Sequence, residues 1–139
     1  SESGAITAIY TVLVEGDDMN EPVADAVRGF LDGHIVLSRK LANANHFPAV
    51  DVLQSVSRLD RAVCSETEIS TISEARDLLS VYKQNEDLIN VGAYVKNSNA
   101  KIDRAIEKYD AAITFLKQRY DQISTRESSF DQLSQIFGS

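Results

Sequence analysis

Residues 65–90 read SETEISTISEARDLLSVYKQNEDLIN, and this stretch divides the chain into two kinds of sequence. Ser65 and Glu68 stand three apart, the spacing at which serine and glutamate side chains reciprocally cap the first N–H groups of a helix. Behind them Ile72, Ala75, Leu79, Tyr82 and Ile89 recur at helical spacing with charges between. That period predicts an amphipathic helix running to about residue 90. GAYVKNSNA (92–100) combines a glycine with Asn97, Ser98 and Asn99, which favour local side-chain-to-backbone bonds, so it reads as a turn. A second stripe follows in Ile102, Ala105, Ile106, Tyr109, Ile113 and Leu116. Two such stripes joined by a short turn predict an antiparallel helical hairpin. Ser124 and Glu127 repeat the capping spacing ahead of a last helix, with Phe130, Leu133 and Phe137 facing inward. Residues 61–139 are therefore expected to form an all-α domain.

Upstream the character changes. Residues 5–14, AITAIYTVLV, are β-branched, aromatic-rich and almost continuously apolar, the pattern of a strand covered on both faces in a parallel sheet. EGDDMN (15–20) is turn-rich, and Pro22 suits the first turn of a helix behind Asn20 or Glu21. Val23, Ala26, Val27 and Phe30 share one face of that helix, and Gly33 ends it. Residues 33–38 read as a second short buried strand, and 39–45 as a helical turn or two. A doubly covered strand needs neighbours that residues 1–60 do not supply. The fold class expected is α+β: the end of an incomplete α/β domain over 1–60, then the helical domain over 61–139.

Composition narrows the chemistry. At 139 residues with 43% apolar and 25% charged content, the chain carries a globular balance, so wholesale disorder is excluded. A net charge of −7 argues against binding nucleic acid or anionic membrane by bulk attraction. Cys64 is the one cysteine and forms no internal disulfide, which fits a reducing compartment. His34 and His46 lack a second ligand at metal spacing, so no metal site is expected there. Asp17, Asp18 and Asn20 do not complete a calcium loop and read as turn or interface residues.

Between the two halves lies HFPAVDVLQSVSR (46–58), with an aromatic before a proline and an arginine closing a Ser-rich run. A guanidinium meets phosphate bidentately and an aromatic face stacks on a base, so the pair suits nucleotide chemistry. On spacing alone Arg58 reads first as a surface arginine beside Asp60, and Phe47 as a core residue held by Pro48.

Residues 6–42, ITAIYTVLVEGDDMNEPVADAVRGFLDGHIVLSRKLA, followed by FPAVDVLQSVSR, resemble the flagellar and type III secretion ATPases. Those enzymes are relatives of the rotary F- and V-type catalytic subunits, and DLINVGAY (87–94) fits the flagellar and secretion branch. The resemblance implies that 1–60 is the end of a RecA-like ATPase domain and 61–139 the helical C-terminal domain. It implies that Arg58 is an arginine finger reaching the phosphates bound by a neighbouring subunit, a device worth on the order of 10³–10⁵ in turnover. Phe47 would stack on the adenine of its own subunit, with residues near Tyr120 to Arg126 as the other wall. The hairpin tip would meet a coiled-coil stalk protein through Tyr94 and Val95.

The same resemblance implies a homohexamer in the cytoplasm at the export apparatus. It would use ATP and Mg²⁺, engage export chaperones and the membrane export gate, and associate with the membrane only through those partners. The sequence contains no G-x-x-x-x-G-K-[ST] phosphate loop. This stretch alone is therefore expected to be inactive and to hold no cofactor tightly. Two rivals remain: a rotary ATP synthase or vacuolar-type subunit, and a non-catalytic helical protein-binding module.

Overall fold

The computed structural model describes residues 4, 6–14, 16 and 22–138. The chain divides into two compact units, Ser1–Asp32 and Gly33–Ser139. Asp17, Asp18 and Asn20, the capping positions Asn20 and Glu21, and the Val23 side chain lie outside the described residues.

The first unit holds α1 (Pro22–Phe30), opened by a proline whose fixed φ and missing N–H suit that position. Arg28 donates to the Asp25 carboxylate at 3.0 Å, one turn back. Ala24 is buried, whereas Ala26 and Phe30 of the expected stripe are exposed. The strand expected over 5–14 is not formed: residues 6–14 carry no strand pairing, and Ile6 is 98% exposed. Apolar β-branched sequence is insufficient for a strand, because each ladder N–H and C=O needs a partner on a neighbouring chain segment. The described residues offer this segment none.

The second unit opens with β1 (Gly33–His34) and continues through α2 (Arg39–Asn43), β2 (Val56–Ser57) and α3 (Asp60–Val63). It ends with α4 (Glu66–Asn90), α5 (Ala100–Leu116) and α6 (Arg126–Phe137). The fold class is α+β as expected, a small two-stranded sheet with helices. β1 and β2 pair antiparallel, Gly33 opposite Ser57 and His34 opposite Val56, and Leu37 bridges Val50 beyond them. Glycine is required at 33, since a Cβ there would stand 2.7 Å from the Val56 carbonyl oxygen. Over 33–38 only Val36 is buried, while Ile35 and Leu37 face outward. The short buried strand expected over 33–38 is thus the two-residue β1 followed by the isolated Leu37 bridge, with Val36 its one buried side chain.

The helices start where their capping residues stand. Ser65 Oγ accepts from the Glu68 N–H at 3.3 Å, and the Ser65 N–H donates to the Glu68 carboxylate at 2.7 Å. Asn99 caps α5 by accepting from the N–H groups of Lys101 and Ile102. α6 begins one residue later than its Ser124–Glu127 spacing predicts: Thr125 and Ser128 form the reciprocal cap. Ser124 is engaged elsewhere, accepting from Gln118 Nε2 at 3.3 Å.

α4, α5 and α6 close around Ala75, Leu78, Ala105, Ala112 and Phe137, with Leu79, Val81, Tyr82, Leu133 and Ile136 packed against them. Three alanines at the seam let the helix backbones approach, and Phe137, 1% exposed, fills the remaining space. The Tyr82 and Tyr109 rings stack in parallel across the hairpin. Lys101 pairs with Asp77 at 2.8 Å on the surface, a contact worth about 0–1 kcal/mol. The apolar seam therefore dominates. Leu78→Ala is expected to cost about 2–5 kcal/mol of unfolding free energy in denaturant titration. Leu88→Ala, on the exposed side of the same helix, should cost about 0.5 kcal/mol.

Candidate nucleotide site

The segment 51–55 is a single hydrogen-bonded turn with partners on every side. Asp51 starts it: its Oδ1 accepts from the N–H groups of Leu53 and Gln54, both at 3.1 Å, as an N-cap does. Its Oδ2 accepts from Gln54 Nε2 at 2.8 Å and lies 3.6 Å from Lys83 Nζ of α4. Burial raises the Asp51 pKa, but the Gln54 and Leu53 hydrogen bonds and Lys83 outweigh it and hold the carboxyl below its ordinary range.

The carbonyls of the turn are equally accounted for. That of Asp51 accepts from the Ser55 N–H at 3.0 Å and the Ser55 hydroxyl at 2.7 Å. The Arg76 guanidinium of α4 donates to the carbonyls of Val52, Leu53 and Ser55, the last two at 3.2 Å. His34 Nε2 donates to the Gln54 carbonyl at 3.1 Å. The Asp51 N–H reaches the Val36 carbonyl at 2.8 Å, and the Val36 N–H reaches Ser55 Oγ at 3.0 Å. The turn is thereby fastened to β1 on one side and to α4 on the other. From it the chain enters β2 and delivers Arg58, exposed, at the start of the link to α3. The Asp60 carboxylate accepts from the Arg61 N–H at 2.7 Å.

Phe47 lies at the other end of the segment, joined to Pro48 by a cis peptide bond and 52% exposed. Its carbonyl accepts from the Gln118 N–H at 2.8 Å, which ties the 46–48 corner to the stretch after α5. An open cavity of about 800 Å³ forms there, lined by Asn45, Phe47, Pro48, residues 117–120 and Gln122. Tyr120 is among the lining residues and is fully exposed. Gln118 Nε2 donates to the Gln122 carbonyl at 2.9 Å and braces the loop that carries Tyr120. Arg119 pairs with Asp121 through two hydrogen bonds of 2.9 and 2.8 Å, which lowers the Asp121 pKa and raises that of Arg119. Arg126, at the far end of the expected second wall, is directed elsewhere: it pairs with Glu68 at 2.9 Å and lies over the Phe130 ring.

His46 is buried, and burial, then the charge of Lys117, lowers its pKa. Among the described residues no cluster of three or more His, Cys, Asp or Glu side chains can hold a metal ion. At the hairpin tip the Tyr94 hydroxyl donates to the Asn99 carbonyl at 3.0 Å, and the Asp103 carboxylate accepts the Asn97 N–H. Tyr94 is therefore partly spent on holding the turn, while Val95 is exposed. Arg76 and Lys83 escape the sequence reading, being two charges among many on a long helix. The signal available is their seven-residue spacing, which puts both on one face, beside the buried stripe.

Residues 1–57 match the nucleotide-binding domain of the ATP synthase alpha/beta family, and residues 64–135 match the C-terminal domain of the type III secretion ATPase EscN. The chain is 51% identical over 138 residues to the flagellum-specific ATP synthase of Bacillus subtilis, covering 99% of this chain and 32% of that protein. It superposes on EscN of enteropathogenic E. coli in its assembled form with a TM-score of 0.94 at 39% identity, covering 99% of this chain and 34% of that one. EscN in complex with its central stalk EscO gives 0.86 at 38% identity, covering 97% and 32%. The chain thus spans about a third of the length of the relatives it matches.

The lowered pKa values of buried His46 and Asp51 each make stability depend on pH in a fixed direction. Below about pH 6.5 the unfolded chain protonates His46 sooner than the folded one, so stability falls as pH falls. The folded Asp51 carboxyl contributes stability above the ordinary carboxylate range and loses it as pH drops through its lowered value. Denaturant titration from pH 7 to pH 3 should show both declines. Asp51→Asn should flatten the lower one and leave the upper one in place.

Proposed function

The chain belongs to the family of type III secretion ATPases, through their C-terminal domain, and on that premise we propose that it completes nucleotide sites in a protein-export ATPase. The observation that carries this reading is the cavity at the 46–48 corner, which Phe47 and Tyr120 both line. An adenine ring inserted there stacks on Phe47 with Tyr120 as the opposite wall, and Asn45 and Gln122 offer amides to its edge. Base–aromatic stacking contributes about 1–3 kcal/mol.

Arg58 serves a different site. It stands exposed at the end of β2, separated from Phe47 by the braced turn, and extends toward the phosphates held by an adjacent subunit. There its guanidinium offsets the charge that develops on the transferred phosphoryl group. ATP would supply that group, and Mg²⁺ would offset part of its phosphate charge. The ligands for that ion and the phosphate-cradling loop belong to sequence outside this stretch.

The intact enzyme works as a ring of six in the cytoplasm, at the face of a flagellar-type export apparatus. It uses hydrolysis to release export substrates from their chaperones for the membrane gate. Residues 1–60 act with the ATPase domain and 61–139 as the helical domain, whose tip at 91–99 meets a central coiled-coil stalk. The relatives' names and the EscN assemblies support this reading.

In a full-length ATPase carrying this segment, Arg58→Ala should lower ATP turnover by on the order of 10³–10⁵ while rings still assemble. Turnover and assembly, the latter by light scattering, are measured separately. Wild-type turnover in assembled rings would remove the finger assignment. Phe47→Ala should weaken adenine-nucleotide binding about tenfold, consistent with the loss of one stacking face. Unchanged affinity by calorimetry would exclude stacking at this corner.

A further inference from the structure

The turn that precedes Arg58 is held by a charge that neither the sequence motif nor the cavity explains. Arg76 projects from α4, 24 residues after Val52, and reaches three carbonyls of the 52–55 turn through both terminal guanidinium nitrogens. Three carbonyl oxygens converging on one planar cation define both its position and its orientation, because each N–H needs its own acceptor direction. Two turns further along the same face, Lys83 meets Asp51, which caps the other end of the turn. One helix face therefore grips the turn at both ends. The helix is itself fixed in the bundle by its buried neighbours Ala75 and Leu78.

Arg58 follows Ser55 by three residues, on the order of 10 Å of extended chain. Of those, Val56 and Ser57 are tied to His34 and Gly33 in the antiparallel ladder. The backbone that carries Arg58 thus has two anchors: β1 within the sheet and Arg76 on the helical domain. We propose that Arg76 is a positioning residue for Arg58. It clamps the 52–55 turn to α4, so that the placement of the Arg58 guanidinium follows the placement of that helix. The proposal rests on the arginine-finger reading of Arg58. It adds a consequence for the ring. α4 runs unbroken from the clamp to the hairpin tip, 14 residues or about 21 Å on, so a displacement of the tip along the helix axis reaches Arg58 through one rigid element.

A purely structural clamp would loosen the whole protein, and substitutions at Arg76 and Arg58 would then act independently. A positioning clamp lowers the catalytic rate, spares substrate affinity, and loses its effect once the finger is gone. The test uses a full-length ATPase carrying this segment, in wild-type form and as Arg76→Gln, Arg76→Lys, Arg58→Ala and the Arg76→Gln/Arg58→Ala double variant. Misplacement of a catalytic group by about 1 Å costs up to a hundredfold. Arg76→Gln is accordingly expected to lower kcat by about ten- to a hundredfold, with the KM for ATP within about twofold and rings assembled.

Arg76→Lys keeps the charge but not the planar fork, and should recover part of the rate; it also serves if the glutamine variant fails to assemble. In the Arg58→Ala background, Arg76→Gln should cost nothing further. Wild-type kcat in assembled Arg76→Gln or Arg76→Lys rings overturns the proposal, as does a full multiplicative loss in the double variant. If Arg58→Ala alone turned over normally, the finger reading would fail first and the positioning role with it. That outcome is distinct from a silent Arg76.

Discussion

Five consecutive carbonyls, those of residues 51 to 55, lie between the sheet and the helical bundle, and every one of them has a donor. The second unit depends on that accounting. A backbone turn packed against a helix loses water, and an unpaired carbonyl there costs about 1–3 kcal/mol. Arg76 removes most of that cost with a single side chain, and hydrogen bonds to a charged donor contribute more than neutral ones. Asp51 does the complementary work for the N–H groups. The two residues have opposite charge but never meet; each serves one end of the turn's dipole, the carboxylate its N–H end and the guanidinium its carbonyl end.

The residues after the turn inherit its rigidity. β2 is only two residues long, too short to hold itself, yet it is continuous with the braced turn and pairs with a glycine that admits close approach. Arg58 leaves the surface from that platform. On the opposite side, the Gln118 N–H and the Phe47 carbonyl join the 46–48 corner to the loop after α5. The cavity between them is therefore framed by backbone contacts as well as by side chains. Phe47 and Arg58 thus stand near the two ends of one short segment, 46–58, with the braced turn between them.

The bundle is the frame for both. Its three alanines and Phe137 fix α4 against α5 and α6, and α4 in turn carries Arg76, Lys83 and the hairpin tip. Tyr94 and Asp103 spend their polar groups on holding the tip closed, and Val95 stays exposed beside them.

Much of this is written in local sequence. The capping spacing at Ser65 and Glu68, the apolar period behind it, and the Asn-Ser-Asn turn are short-range signals, and each produced the helix boundary it predicts. Phe47 and Arg58 stand out in the sequence because the motif that contains them is continuous, and their roles remain proposals. The strand over 5–14 was not, since β-branched residues form a ladder only when another segment supplies hydrogen-bond partners. The cap of α6 shifted by one residue because Ser124 found a partner in Gln118, which periodicity does not encode. Arg76 was invisible for the same reason. Its role is set by carbonyls more than twenty residues earlier in the chain, and a charge on a helix shows its purpose only when the fold brings an acceptor to it. The sequence alone determined the α+β class and the α4–α5 hairpin with its apolar faces. Tertiary structure decided which charges grip which backbone, because hydrogen-bond partners distant along the chain meet only after the apolar seams have closed.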